Sequence, residues 1–565
     1  MWDLVGGSVR EIVAVAYGQL LVPIAVAGVA CVLALATVVV THRRSRVMEP
    51  DEARVPAGPA VILMVVAAVV MGVAATRSDV LENGLLRKPA GEIMAWVVNG
   101  VTDVDRDGFG IVGRSSDGDP FNAEVFPYAA DVPGNGIDED GVGGDLPAGT
   151  APFRDVPIAS AAWTRRPDVV LVVLESFRAD VVGAQFEGTP ITPVLDGLAA
   201  KGLGVRLAYS HNGYTVQSRF HLFSGTLAGP PGAPTLIDDF KAQGYLVGYV
   251  SGQDESFGGP LYDIGFGRAD VSKDARSDRA ERYSTASTPG SLAVPMTVVE
   301  RNVQALLAQA ATDRPLFLCV NFHDTHFPYS HDRMDSLTSP ERLSRERIVP
   351  GERNRLWATY TNAAANVDRA IGHVIDAVRT VRGAEPGIVV ISDHGESLFD
   401  GGFLGHGYDL NEAQTRVPLV VANMPMTLPE PFVQADLRSA LLAAMSAPAE
   451  GGRPGTRPRE PGLRAFQYLG DLARPKQIAF IARGGRLIYD FRSDRVQMSP
   501  GPWVRPDELP TSDHEEFLAL IRYWERIQLA CGLARRPPAR LASIRCPRAC
   551  VCSSTASSEA RPRSC

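Results

Sequence analysis

The stretch Gly387-Ile-Val-Val-Ile391, running into Ser392-Asp-His-Gly-Glu-Ser-Leu-Phe399, joins an unbroken apolar run to a cluster of polar groups. Apolar residues without polar alternation read as a strand buried on both faces, as in a parallel sheet. Such a strand delivers Asp393 and His394 to the rim of an α/β sheet. Two further runs end the same way: Val169-Val-Leu-Val-Val-Leu174 meets Glu175, and Leu316-Phe-Leu-Cys-Val320 leads to His323, Asp324 and His326. Three strands thus bring ligand-type side chains to one edge. Gathering acidic and imidazole groups is costly unless a cation offsets their charge, so the pattern outlines a metal site.

Outward from this core, residues 166–447 alternate strand-like and helical stretches, the signature of a mostly parallel sheet flanked by helices. Further strands are expected at 245–251 and 417–422, and helices at 192–201, 236–243, 296–311 and 355–380. Residues 478–491, with Gly484-Gly485 at their centre, read as a β-hairpin within a C-terminal part, 462–534, of the same domain. A Pro/Gly/Arg linker covers 448–461. The tail 535–565, rich in Arg, Pro, Ser and Cys, reads as disordered.

The 565-residue chain has an ordinary globular composition and is mildly acidic, with a formal net charge of −8, so nothing in it suggests a nucleic-acid binder. Of its seven cysteines four lie in the last twenty residues, which leaves the main body without a disulfide framework. Residues 12–41 and 59–76 are apolar runs of membrane-spanning length. The basic segment His42-Arg-Arg-Ser-Arg46 between them faces the cytoplasm by the positive-inside rule. The expectation is therefore a two-pass anchor over residues 1–80, a linker over 81–101, and everything after it on the extracytoplasmic side.

Residues 102–147 change character. Asp103, Asp105 and Asp107 precede a glycine turn at alternate positions, the way a loop wraps oxygens around calcium, although Arg114 stands where an EF-hand needs its bidentate Glu. Pro133-Gly-Asn-Gly-Ile-Asp-Glu-Asp140 follows and resembles Asp-rich calcium repeats of bacterial surface proteins. Calcium is the expected ligand of this segment, with a solvated acidic linker as the plainer alternative.

The segment Tyr214-Thr-Val-Gln-Ser-Arg-Phe-His-Leu-Phe-Ser-Gly225 puts the Thr215 hydroxyl at the start of a short helix, whose N–H groups favour an anion. Together with Thr189-Pro-Ile-Thr-Pro-Val-Leu-Asp-Gly-Leu198, His323-Asp-Thr-His-Phe-Pro328, Gly405-His-Gly407 and Arg416-Val-Pro418, the ordered set resembles the sulfatase and alkaline-phosphatase-like superfamily. The resemblance implies that superfamily's α/β fold. It carries Glu175, Thr215, Asp393 and His394 over as ligands of manganese, zinc or magnesium, and His326, His406 and Arg219 as catalytic candidates beside Thr215. Sulfatases make a formylglycine from Cys or Ser, and a threonine oxidised at that carbon would give a ketone. The Gly244–Phe257 stretch is more similar to lipoteichoic acid synthases and related phosphoglycerol transferases, and the ligand set also matches phosphoethanolamine transferases.

The expected activity is transfer or hydrolysis of a phosphodiester such as a phosphoglycerol or phosphoethanolamine head group, with Thr215 as nucleophile and a membrane lipid or envelope glycan as substrate. The cell membrane, with the domain outside the cytoplasm, is the expected location. Two alternatives stand beside it: a sulfuric ester hydrolase, and a non-catalytic calcium-dependent surface protein.

Overall fold

The computed structural model describes residues 89–531 apart from 112–114, 156–157, 159–161, 231, 285–291, 311–312, 448–451, 461–462 and 483–484. The two apolar runs expected to span a membrane, Arg114, and the tail after residue 535 lie outside these residues. Among the described residues no helix is long and apolar enough to cross a membrane.

The main strands are β1 (Val169–Leu174), β2 (Leu246–Ser251), β3 (Val271–Lys273), β4 (Leu316–Phe322), β5 (Gly387–Ser392) and β6 (Leu419–Ala422). They form one sheet in the order β6-β5-β1-β4-β2-β3, with Leu203–Gly204 added outside β6. Strands β5, β1, β4, β2 and β3 run parallel, whereas β6 is antiparallel to β5 and closes one edge. The sheet is thus mostly parallel, as expected.

The β1 side chains sort by parity, as the two-residue strand period requires. Val170, Val172 and Leu174 face helices α5 (Met296–Gln309) and α6 (Arg353–Arg382) in one core, while Val169, Leu171 and Val173 face the opposite core with α4 (Leu236–Ala242) and α7 (Asp436–Met445). All six residues are fully buried. At about 1.5–3 kcal/mol for each such side chain, this two-sided burial explains why the strand tolerates no polar residue until its end. Helix α2 (Pro193–Lys201) and the ten-residue α3 (Thr215–Ser224) complete the helices near the sheet.

The C-terminal part differs in kind. Strands β7 (Ala465–Gly470), β8 (Pro475–Ala482), β9 (Gly485–Asp490), β10 (Arg495–Ser499) and β11 (Trp503–Val504) form an antiparallel sheet covered by α8 (Thr511–Ala530). The expected hairpin is β8–β9, with Ile478 opposite Tyr489. This sheet braces the segment leading to α3: Tyr468 donates its N–H to the His211 carbonyl, Gln467 reaches the Ser210 carbonyl, and the Tyr468 hydroxyl meets His221 Nε2. Within the expected 448–461 linker, Gly455–Pro458 pairs with Thr427–Glu430. The expected 81–101 linker carries helix α1 (Pro89–Thr102).

Candidate active site and acidic clusters

Strand register builds the site. Leu174 of β1 lies opposite Phe322 of β4 and Ser392 of β5, so the next residues, Glu175, His323 and Asp393, leave the sheet side by side. Helix α3 supplies Thr215 at its first turn. Thr215 Oγ1 donates to Glu175 Oε1 at 3.1 Å and lies 3.2 Å from His394 Nε2. His394 Nε2 is 3.4 Å from Glu175 Oε1 and 3.6 Å from Asp393 Oδ2. All four residues are buried, so the four sequence-derived ligand candidates converge on one point.

The backbone holds this point tightly. Asp393 Oδ1 accepts the N–H of Ser176 and of His394, and Ser176 occupies the left-handed region at φ 56°, a cost typical of functional sites. A Cβ at Gly395 would sit 2.1 Å from the Ala413 carbonyl oxygen. Only glycine fits between Asp393-His394 and the following helical turn.

The electrostatics are those of a cation site. Glu175 Oε2 and Asp393 Oδ2 are buried and have no hydrogen-bond partner, an arrangement that costs free energy unless something else fills their lone pairs. His394 Nδ1 lies 2.8 Å from the Gly395 carbonyl, which places a proton there and turns the Nε2 lone pair inward. Burial and the Glu175 carboxylate push Asp393 well above the ordinary carboxylate range. Burial disfavours charge on His394, but Asp393 and Glu175 outweigh it and raise the imidazole to about 10. A protonated imidazole is what these carboxylates demand when no cation lies among them. Two orphaned carboxylate oxygens, an inward imidazole nitrogen and a hydroxyl could hold a divalent metal ion.

His406 stands beside this set, its ring 4.1 Å from that of His394. Glu175, His394 and His406 offer ligand atoms within 4.8 Å of one another. His406 Nδ1 is held at 2.7 Å by Glu396, which also accepts from the buried Tyr329 hydroxyl. Burial and the His394 imidazole lower the His406 imidazole, although Glu396 pulls upward. His326 is 5.5 Å from His406, ring to ring. His323 gives one nitrogen to the Tyr283 hydroxyl, and burial with the nearby His326 pushes it down to about 3. Arg219 donates to Tyr249, Gln253 and both oxygens of Glu255 in a buried ion pair. That pair ties α3 to the loop after β2, a positioning role.

Sequence reading singled out neither Glu396 as the partner of His406 nor Tyr283 as the partner of His323. Glu396 was visible within Asp-His-Gly-Glu, but Tyr283 carries no local signal. Asp103, Asp105 and Asp107 do come together, in a separate cluster with ligand atoms within 4.8 Å of each other. Asp103 gives both oxygens to backbone amides and Asp105 and Asp107 one each, while Asp105 Oδ2 and Asp107 Oδ2 are buried without partners. Burial raises Asp107 to about 6. This loop suits a hard cation.

The Sulfatase family model matches residues 167–445. Residues 167–445 thus form a Sulfatase domain. A curated relative, the "Uncharacterized sulfatase YidJ" of Escherichia coli (strain K12), is 22% identical over 320 residues, 46% of this chain and 63% of that protein. The match thus spans less than two thirds of the relative's length. Among solved structures, phosphonate monoester hydrolase SpPMH from Silicibacter pomeroyi is similar at 17% identity and TM-score 0.45, covering 65% of this chain and 96% of its own. The lipoteichoic acid synthase LtaP of Listeria monocytogenes gives 13% and 0.44, with 66% and 94% covered. The zinc complex of the C-terminal periplasmic domain of EcEptC from Escherichia coli gives 16% and 0.41, with 64% and 98% covered.

Proposed function

We propose that this protein is a membrane-anchored, metal-dependent enzyme that transfers or hydrolyses a phosphodiester head group through Thr215. The observation that carries this reading is the Thr215 hydroxyl, held at hydrogen-bond distance by both Glu175 and His394 inside a set of orphaned ligand atoms. Glu175, Asp393, His394 and Thr215 would hold the ion. When bound, a divalent cation lowers the proton affinity of an attached hydroxyl and offsets charge on phosphoryl oxygens.

The chain's own groups supply the rest. Thr215 Oγ1, having released its proton to solvent so that it enters and leaves the cycle as the alkoxide, attacks phosphorus, the bond to the leaving alkoxide breaks, and that oxygen takes the proton of His406 Nε2. Glu396 fixes the ring on Nδ1, so Nε2 is the nitrogen facing the cleft. In the second step an acceptor hydroxyl or water gives its proton back to Nε2 and attacks the phosphothreonine, releasing Thr215. The α3 N-terminus offers unpaired amides to the phosphoryl oxygens, and His326 is a further donor at the rim. Anchoring by residues 1–80 would keep the domain outside the cytoplasm beside a lipid donor and raise its effective concentration.

A sulfatase reading draws on the family model and on the curated relative, but Thr215 stands where formylglycine chemistry needs Cys or Ser. Assay of the full chain with an aryl phosphodiester and an aryl sulfate separates the two. Phosphodiester turnover is expected, together with a mass adduct on Thr215 after brief exposure to membrane lipids. Thr215→Ala should cut turnover by on the order of 10⁴ or more while the fold persists. Turnover of the sulfate alone, or full activity in Thr215→Ala, sinks the assignment, and inactivity toward both substrates with no adduct favours a non-catalytic surface protein.

A further inference from the structure

A third group of acids lies outside both sites already described. Asp131 and Asp140 come from the Asp-rich segment and Glu525 from helix α8, almost four hundred positions later. Their ligand atoms lie within 4.8 Å of one another and all three residues are buried. Asp131 Oδ1 accepts the N–H of Glu139 and Asp140, and Asp140 Oδ1 accepts that of Val142. The remaining oxygens, Asp131 Oδ2, Asp140 Oδ2 and both oxygens of Glu525, have no hydrogen-bond partner.

The neighbouring acids of the loop behave differently. Asp138, Glu139 and Asp145 each spend both carboxylate oxygens on N–H groups of their own segment. Of these six acids, only the three that meet at α8 leave oxygens bare. Among the described residues no Arg, Lys or His forms an ion pair with any of them. Glu525 is 2% exposed, and a carboxylate so placed with neither oxygen satisfied is not tolerated without compensation.

The contact between loop and helix is also built. Gly143 has φ 90°, and a Cβ there would meet the Ile521 Cγ2 methyl at 2.8 Å, so the loop lies directly on the helix. Tyr128 packs edge-on against Trp524 at 6.2 Å, and the Phe153 N–H reaches the Arg526 carbonyl. Two chain segments are thus pressed together around unneutralised carboxylates.

We propose that Asp131, Asp140 and Glu525 bind a hard divalent cation, calcium by ligand type, which staples the Asp-rich segment to helix α8. The bare atoms are all carboxylate oxygens, with no imidazole or thiolate among them, and oxygen-only sets on flexible loops suit calcium over zinc or copper. Burial pushes Asp131 to about 7 and Glu525 to about 8, as expected of acids crowded together without their counter-ion. The site contains no nucleophile and stands or falls independently of the phosphodiester chemistry.

The test compares the full chain with Glu525→Gln after removal of metals by chelation, titrating calcium alone and reading bound calcium per chain and the melting temperature. Wild type should take up one calcium more than Glu525→Gln and gain several degrees on calcium addition, whereas the variant should gain markedly less. In calcium-free buffer the order reverses, because the variant has lost a buried like charge. Asp140→Asn gives the same reading should Glu525→Gln fail to fold. Equal calcium content and equal thermal gain in wild type and the folded variants overturn the site, as does a wild type that binds no calcium beyond that lost in an Asp103→Asn/Asp105→Asn variant.

Discussion

The sheet edge and the loop–helix contact solve one electrostatic problem with different donors. Both gather buried carboxylates that lack hydrogen-bond partners. At the sheet edge Glu175 and Asp393 share the space with an imidazole and a hydroxyl, whereas Asp131, Asp140 and Glu525 meet as carboxylates without a histidine among them. The mixed set includes a group able to attack and lies beside two more histidines. The all-oxygen set has only charge to neutralise. The difference teaches that an orphaned carboxylate marks an ion, and that its neighbours decide whether the ion does chemistry or holds segments together.

The largest effect should come from metal removal. Chelation is expected to take turnover to background, with manganese or zinc restoring it and calcium failing to do so. Restoration by calcium alone, or activity that survives chelation, would erase the distinction between the two regions.

A smaller effect sharpens the description of the sheet edge. Glu396→Gln removes the anchor of His406 and should lower kcat about 10–100-fold, the usual cost of a lost partner to a functional imidazole, with little change in KM. The sign of its pH effect is fixed by the geometry. Glu396 raises the His406 imidazole against burial, so its loss lowers that imidazole further, and because His406 enters the cycle as the proton donor the alkaline limb of the kcat/KM profile should move to lower pH. An unmoved limb with an equal fall in kcat would assign Glu396 a purely structural role.

The smallest effect probes the staple. Gly143→Ala forces a side chain into a left-handed position against Ile521 and should cost roughly 1–2 kcal/mol, read as a lower melting temperature with turnover per folded molecule unchanged. A loss of turnover without a loss of stability would mean that the loop–helix contact serves the reaction.

Much of the sheet was legible because buried parallel strands must be apolar on both faces. The runs at 169–174, 316–320 and 387–391 announced themselves, and the structure extends the latter two to Phe322 and Ser392. Helix ends were off by a few residues, as α6 begins at Arg353 and continues to Arg382. The five-stranded C-terminal sheet was seen only as its central hairpin. Its remaining strands, Ala465–Gly470, Arg495–Ser499 and Trp503–Val504, are short and break any apolar alternation with Gln, Arg, Ser or Gly or end after two residues, so no period stands out locally.

The sequence by itself determined the two-sided core strands, the polar residues at their ends and the calcium-like spacing of Asp103, Asp105 and Asp107, because each is a local pattern read within a few residues. Only the tertiary structure decided which distant atoms meet: that register sets Glu175 beside Asp393, that Glu396 holds His406, that Arg219 is tied to Glu255, and that Glu525 closes on Asp131 and Asp140. Those pairings depend on packing two segments to within a few ångströms, and no spacing along the chain encodes that distance.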